Sequence, residues 1–295
     1  MVRALLALLL VSSCAFADSA VTHLLELKEY AKIKDVGDAL DGVLGVATID
    51  LTNGRVLVYN GDAVFPTASS IKIAIMIQAF RDADEGKLSF DRKITIAPSE
   101  DVGGSTGPLA DALAKKSPVT LTVAELIGDM IEYSDNTATN KVIDLVGMDR
   151  VDATLAQFGF VRTRLRRKMM DVDAAAHGRE NISSPLEMAR LVRLIYDNQA
   201  ASAQSCAHML DIMKRVNLYM RPMIPESIPV ASKPGELDGV RTETGLVYLP
   251  NRPFIVSVMS TYLTDRANPV PQITAIVFDF FNRLAHSNPE GRRLD

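Results

Sequence analysis

Ser69 and Lys72 stand three residues apart at the head of the stretch 69–80, SSIKIAIMIQAF. On a helix that spacing puts both on one face, so hydroxyl and amine can touch. Ile71, Ile73, Ala74, Ile75, Met76, Ile77, Ala79 and Phe80 follow with Gln78 between them, and a helix this apolar on all sides is a buried one. A buried ammonium must find a partner or lose its proton, because desolvation favours the neutral amine. A neutral amine beside a serine is a base beside a nucleophile. The free N–H groups and positive dipole end of the same helix would favour negative charge developing there. Ser-x-x-Lys alone recurs about once by chance in a chain of this length, so other residues must carry the rest. Two further groups qualify. Ser134-Asp135-Asn136 reads locally as a helix start, yet its hydroxyl can both donate and accept, as a proton relay requires. Lys233-Pro234-Gly235 reads locally as a turn signal.

Composition narrows the chemistry. The 295 residues are 47% hydrophobic and 23% charged, enough for one large or two modest domains with a sizeable core. The formal net charge of -4 gives no basic field to recruit nucleic acid. His23, His177, His208 and His286 are scattered without metal-ligand spacing, which weakens both zinc hydrolysis and a Ser-His-Asp triad. Residues 1–17 have Arg3, an apolar run and Ala15-Phe16-Ala17, the pattern of a secretory signal. The expected protein is exported to the periplasm, without a transmembrane segment in its mature form. Cys14 follows Val11-Ser12-Ser13 and is an alternative lipid-anchor site; Cys206 is the remaining cysteine, so no intrachain disulfide is expected in the mature domain.

The elements that must position these residues can be read in order. Residues 21–40 are helix-like, and 43–51 and 55–60 read as strands joined by Thr52-Asn53-Gly54. From Phe65-Pro66 the pattern turns helical. Thr122 to Glu125 and Ser184 to Glu187 are capping boxes, the latter with Pro185 at the first helical position. Residues 93–96 read as a short extended piece and 162–183 as a long irregular segment carrying Asp171, Asp173 and Glu180. Strand patterns return at 231–237, 240–249 and 254–263, and 269–284 closes as an amphipathic helix. This order predicts an α/β (α+β) fold, an antiparallel sheet of about five strands flanked by terminal helices. Residues 18–64 and 205–295 would form a discontinuous α/β domain around an all-α insertion at 65–204.

Together and in this order, the three groups resemble the Ser-x-x-Lys, Ser-Asp-Asn and Lys-Thr-Gly set of penicillin-recognising serine hydrolases of the class A β-lactamase type. Phe65-Pro66, the run 134–140 (SDNTATN) and the run 233–241 (KPGELDGVR) extend the likeness over essentially the whole mature chain. The resemblance implies Ser69 as acylated nucleophile, Lys72 as its proton-transfer partner and Ser134 as donor to the leaving nitrogen. It implies Asn136 as a ligand of substrate and Lys72, Lys233 as the charge that orients Ser134, and backbone N–H groups of Ser69 and Glu236 as oxyanion donors beside Gly235. Arg241 would clamp a substrate carboxylate, unless it is an ordinary strand arginine. No cofactor is implied. The expected partner is a small β-lactam or D-Ala-D-Ala-like peptide, and the protein is expected to be a monomer.

Two departures matter. Pro234 stands where the family has threonine, removing a hydroxyl and an N–H beside the substrate carboxylate and requiring an edge strand. Aligned through residues 163–167, the chain also places Met169 where the family carries the glutamate that activates the deacylating water. Asp173 is then the first candidate for a substitute base, ahead of Asp171 and Glu180. Three functions compete: a β-lactamase, slow if that base is missing; a D-alanyl-D-alanine carboxypeptidase or transpeptidase; and a non-hydrolytic β-lactam sensor.

Overall fold

A computed structural model describes residues 20–264 and 267–294; the expected signal at 1–17 and Cys14 lie outside the described residues. Helix α1 (Ala20–Ala39) leads into β1 (Val43–Asp50), which turns back on β2 (Val56–Tyr59) with Val46 opposite Tyr59 and Ile49 opposite Val56. The tight turn is held by Asp50, whose carbonyl accepts from Gly54 N at 2.7 Å and whose carboxylate accepts from Thr52 N at 2.9 Å.

The middle of the chain runs β3 (Phe65–Pro66), a 3₁₀ turn (Ala68–Ile71), α2 (Lys72–Asp84), β4 (Lys93–Ile96), α3 (Pro108–Leu113) and β5 (Val119–Thr122). It continues through α4 (Val123–Glu132), α5 (Asn136–Val146), α6 (Met148–Gln157), α7 (Val172–Ala176), β6 (Ile182–Ser183), α8 (Pro185–Tyr196) and α9 (Ala203–Met213). Then β7 (Val230–Leu237), β8 (Val240–Val247), β9 (Phe254–Thr261) and α10 (Val270–Ala285) complete it.

The expected fold class holds: β2-β1-β9-β8-β7 form one five-stranded antiparallel sheet with β7 at its edge. Alternation along the strands gives two apolar faces. Val46, Val230, Val247, Val256 and Val258 pack outward with Ile33 of α1 and Ile273, Val277 and Phe281 of α10. Phe254 stacks on Phe281 at 4.2 Å between ring centroids. Ala47, Ile49, Ala231, Leu246, Ile255 and Met259 face the other way and join α2, α4, α5, α8 and α9 in one continuous cluster. Along α2 every residue from Lys72 to Phe80 is buried, as its all-round apolarity predicts.

The extended piece expected at 93–96 is β4, which pairs with β5; β5 and the β3–β6 pair were not read, being too short to show a period. The β3–β6 pair ties the irregular 162–183 segment to the lead-in of Ser69. The capping box at Thr122 is complete, with Thr122 N donating to Glu125 at 2.7 Å and Glu125 N to the Thr122 hydroxyl at 3.2 Å. The second is not. Ser184 caps α8, but Glu187 accepts instead from the backbone N–H groups of Val161, Arg162 and Thr163 at 2.7–3.1 Å. Three converging donors outweigh one local bond.

Candidate active site

Ser69 lies in the 3₁₀ turn and Lys72 is the first residue of α2, so the pair straddles the junction of two helix types. The turn enters through Ala68, a non-glycine residue at φ 47. Ser134 (φ 57) and Met170 (φ 61) share that left-handed strain, and all three line one cleft with Ser69. The cleft has a volume of about 520 Å³ and runs between β7, the 104–106 loop, the α4–α5 junction and the 167–172 segment.

Lys72 is completely buried, and its Nζ donates to Ser134 O at 2.6 Å, Ser134 Oγ at 3.2 Å and Asn136 Oδ1 at 3.1 Å. The sequence suggested contact with Ser69; the amine is turned to Ser134 and Asn136. Burial pushes its pKa well below the ordinary lysine range, the nearby Lys233 charge pushes the same way, and Asp135 opposes. Ser134 reaches this position because its left-handed backbone precedes the true cap of α5, Asp135, which accepts from Ala138 N at 2.7 Å. The Nδ2 of Asn136 bridges to the carbonyls of Gly103 and Gly104 at 3.2 Å each, and its N–H donates to Ser105 Oγ at 2.7 Å. Gly104 is required here: its φ is 68, and a Cβ would stand 2.9 Å from Met170 Sδ.

Strand β7 forms the opposite wall. A Cβ on Gly235 would meet Thr242 Oγ1 at 2.6 Å, Thr67 O at 2.7 Å and Ser69 N at 2.8 Å, so only glycine lets the strand approach the nucleophile. Ser70 and Thr242, which sequence reasoning passed over, bond at 2.7 Å and lock the turn to the sheet. An edge strand leaves alternate N–H groups without ladder partners, and Pro234 sits on that edge as its missing donor requires. Lys233 is fully buried, and desolvation lowers its pKa to about 7 against the opposing pull of Glu243. Its Nζ donates to Pro234 O at 3.1 Å and to no atom of Ser134. Arg241 is likewise engaged: it donates to Leu237 O and Val240 O at 2.8 Å each and pairs with Glu236 at 2.9 Å.

The loop carboxylates require a correction. Asp173 is 80% exposed, lies 3.5 Å from His177 and is not among the residues lining the cleft. It falls in the first turn of a five-residue helix, α7, whose cap is Asp171; the helical turn carries Asp173 outward. Glu180 grips Arg167 through Nε and Nη2 at 3.0 Å each. None of the three faces Ser69. Met169 does line the cleft, 7% exposed, and its register is fixed by Asn140: Met169 N donates to Asn140 Oδ1 at 2.8 Å and Asn140 Nδ2 to Met169 O at 3.1 Å. Asn181 holds the other end of the segment, accepting from Arg166 N at 2.7 Å and Arg167 N at 3.0 Å while its carbonyl accepts from Thr67 N at 2.9 Å. Asn140 was noticed only as the end of the 134–140 run and Asn181 not at all.

A serine at a helix head, a buried amine one turn on, a relay hydroxyl touching that amine and a glycine-lined edge strand define a serine acyl-transfer site. The chain belongs to the beta-lactamase enzyme family, whose model matches residues 28–281, and it is a serine hydrolase of the class A type. Beta-lactamase OXY-2 of Klebsiella oxytoca is 28% identical over 90% of this chain and 89% of its own. The crystal structure of a beta-lactamase from Sphaerobacter thermophilus is 28% identical with a TM-score of 0.77, covering 87% of this chain and 96% of that one. PBP-A is 25% identical with a TM-score of 0.77 over 88% and 96%, and a mutant of PBP-A has been solved as an acyl-enzyme complex with penicillin G.

Proposed function

We propose that the protein opens β-lactam rings through an acyl-enzyme on Ser69 and releases the acyl group slowly. The observation that carries the first half is Lys72, buried and bonded to both Ser134 and Asn136 beside Ser69. Neutral Lys72 takes the Ser69 proton as Oγ attacks the carbonyl carbon. The oxyanion is met by the N–H groups of Ser69 and Glu236, where one donor is worth ~10² to 10³ in rate. The ring C–N bond then breaks. Its nitrogen takes the Ser134 proton, and the ammonium of Lys72 replenishes Ser134 across their 3.2 Å contact.

The second half is supported by Met169. A thioether cannot activate water, and no carboxylate of the 167–181 segment reaches the cleft wall it occupies. A missing general base costs ~10² to 10⁴ in deacylation. Intact-protein mass spectrometry with penicillin G tests both halves: an adduct on Ser69 that persists for hours supports the reading, and no adduct, or one equally present in Ser69→Ala, ends it. An adduct that vanishes within seconds ends the slow-release half alone.

The same Met169, with the likeness to PBP-A, favours a second reading as a D-alanyl-D-alanine carboxypeptidase or transpeptidase. Turnover of a D-Ala-D-Ala peptide alongside penicillin trapping would move the assignment there. Export to the periplasm, with removal of residues 1–17, belongs to both readings; the mass of the secreted protein tests it.

A further inference from the structure

Side chains alternate across β7. Gly235 faces Ser69, and Lys233, two residues back, shares that face; Ser232 and Pro234 point to the reverse side. Glu243 of β8 stands opposite Pro234 in the ladder and therefore on the reverse side too. It is a fully buried carboxylate with no part in the acyl-transfer steps. Ser232 Oγ donates to its Oε1 at 2.6 Å and Met220 N to its Oε2 at 2.9 Å, and such donors favour the charged form. Lys233 is buried just as completely, and among the described residues its Nζ bonds only Pro234 O, at 3.1 Å. Each of these two charges would be costly if buried alone.

The other charges on the elements packed around the pair are committed elsewhere. On the Ser69 side, Asp211 of α9 is exposed and pairs with Lys214 at 3.0 Å, His208 of the same helix packs on Phe80, and Lys72 of α2 repels Lys233. On the reverse side, Asp279 and Arg283 of α10 pair with each other at 2.8 Å, and Arg221 donates to the carbonyls of Ile224, Pro225 and Ile228. Arg241 and the Tyr219 hydroxyl both serve Glu236. Burial drives Lys233 toward the neutral amine, and Glu243 is the charge that pulls it back.

We infer that Glu243 is a positioning residue for acylation at Ser69: its buried carboxylate is the counter-charge, acting through β7, that keeps Lys233 protonated and the cleft wall cationic. The inference rests on the Ser69 acylation reading. A cation in that wall favours the negative charge that builds on the attacked carbonyl oxygen, so acylation falls as pH rises through the loss of the Lys233 proton.

The protein labelled with ¹³C at lysine Cε reads the Lys233 titration directly, its resonance identified by its loss in Lys233→Met. Glu243→Gln is expected to lower the Lys233 midpoint by about one pH unit, and Glu243→Asp to restore most of it. The alkaline limb of the second-order acylation rate with penicillin G should move down with the midpoint and return in Glu243→Asp; a merely structural role would lower the rate by one factor at every pH. An unmoved midpoint in Glu243→Gln overturns the inference, as does a moved midpoint with an unmoved alkaline limb. Should Glu243→Gln fail to fold, Ser232→Ala removes one donor and keeps the carboxylate: a smaller shift of the midpoint in the same direction sustains the inference, and no shift overturns it. If the wild type does not label Ser69, the acylation reading falls, and the Lys233 midpoint still decides whether Glu243 is its counter-charge.

Discussion

On the proposed reading, Met169 sets how long an acyl group stays on Ser69, because it lines the cleft where a base would reach the ester and Asn140 holds it there through two bonds. Met169→Glu is expected to shorten the lifetime of the penicillin adduct by ~10² to 10⁴, followed by mass spectrometry over time. Asp173→Asn should leave that lifetime unchanged, since the carboxylate faces solvent and His177. On the same reading, Lys72 carries the pH dependence of acylation. Its pKa is lowered by burial and by Lys233, so the neutral base persists to lower pH than an ordinary lysine would, and acylation falls as Lys72 gains its proton. Removing the neighbouring charge with Lys233→Ala should move that acid limb to higher pH; a profile that stays in place would show that burial alone sets it.

At the scale of elements, two tethers position the site. Glu187 at the head of α8 gathers the backbone of residues 161–163. Burial opposes its ionisation, but those bonds and the Thr163 hydroxyl prevail and hold its pKa below the usual glutamate value. With the folded pKa depressed, its stabilisation is present at neutral pH and is lost as pH falls through the folded value. Glu187→Gln should cost about 1–3 kcal/mol in denaturant unfolding at pH 7 and less in acid. Gly235→Ala should force β7 from the 3₁₀ turn and slow acylation at Ser69, since two of the three atoms it would strike are backbone. The sequence showed these elements unevenly. The long strands, α2 and the Thr122 cap follow from local period and capping chemistry. The role of Glu187 does not, because its donors lie about 25 residues away in sequence and only the packed fold brings them together.

At the scale of the whole molecule, α1 and α10 close the outer face of the sheet and trap Glu29. Its Oε1 is buried without a hydrogen-bond partner, and desolvation raises its pKa from the ordinary 4.5 to about 7, partly offset by Lys32 at 3.8 Å. A raised acid pKa means the folded state keeps a proton that the unfolded chain releases across that window, so stability falls as pH rises from about 4.5 to about 7. Glu29→Gln should flatten that dependence in thermal melts at pH 5 and pH 8; identical pH slopes for wild type and variant would exclude Glu29 as its source.

The sequence by itself determined the chemistry available: which serine heads a buried helix, which lysine shares its face, and which hydroxyl and which strand motif follow. Those facts are local, fixed by residue type and spacing. Tertiary structure alone decided how the charges are used. It turned Lys72 to Ser134, sent Asp173 to solvent and joined Glu236 to both Arg241 and Tyr219. Side-chain partners are chosen by burial and by strands meeting across the sheet, over separations at which no sequence period survives.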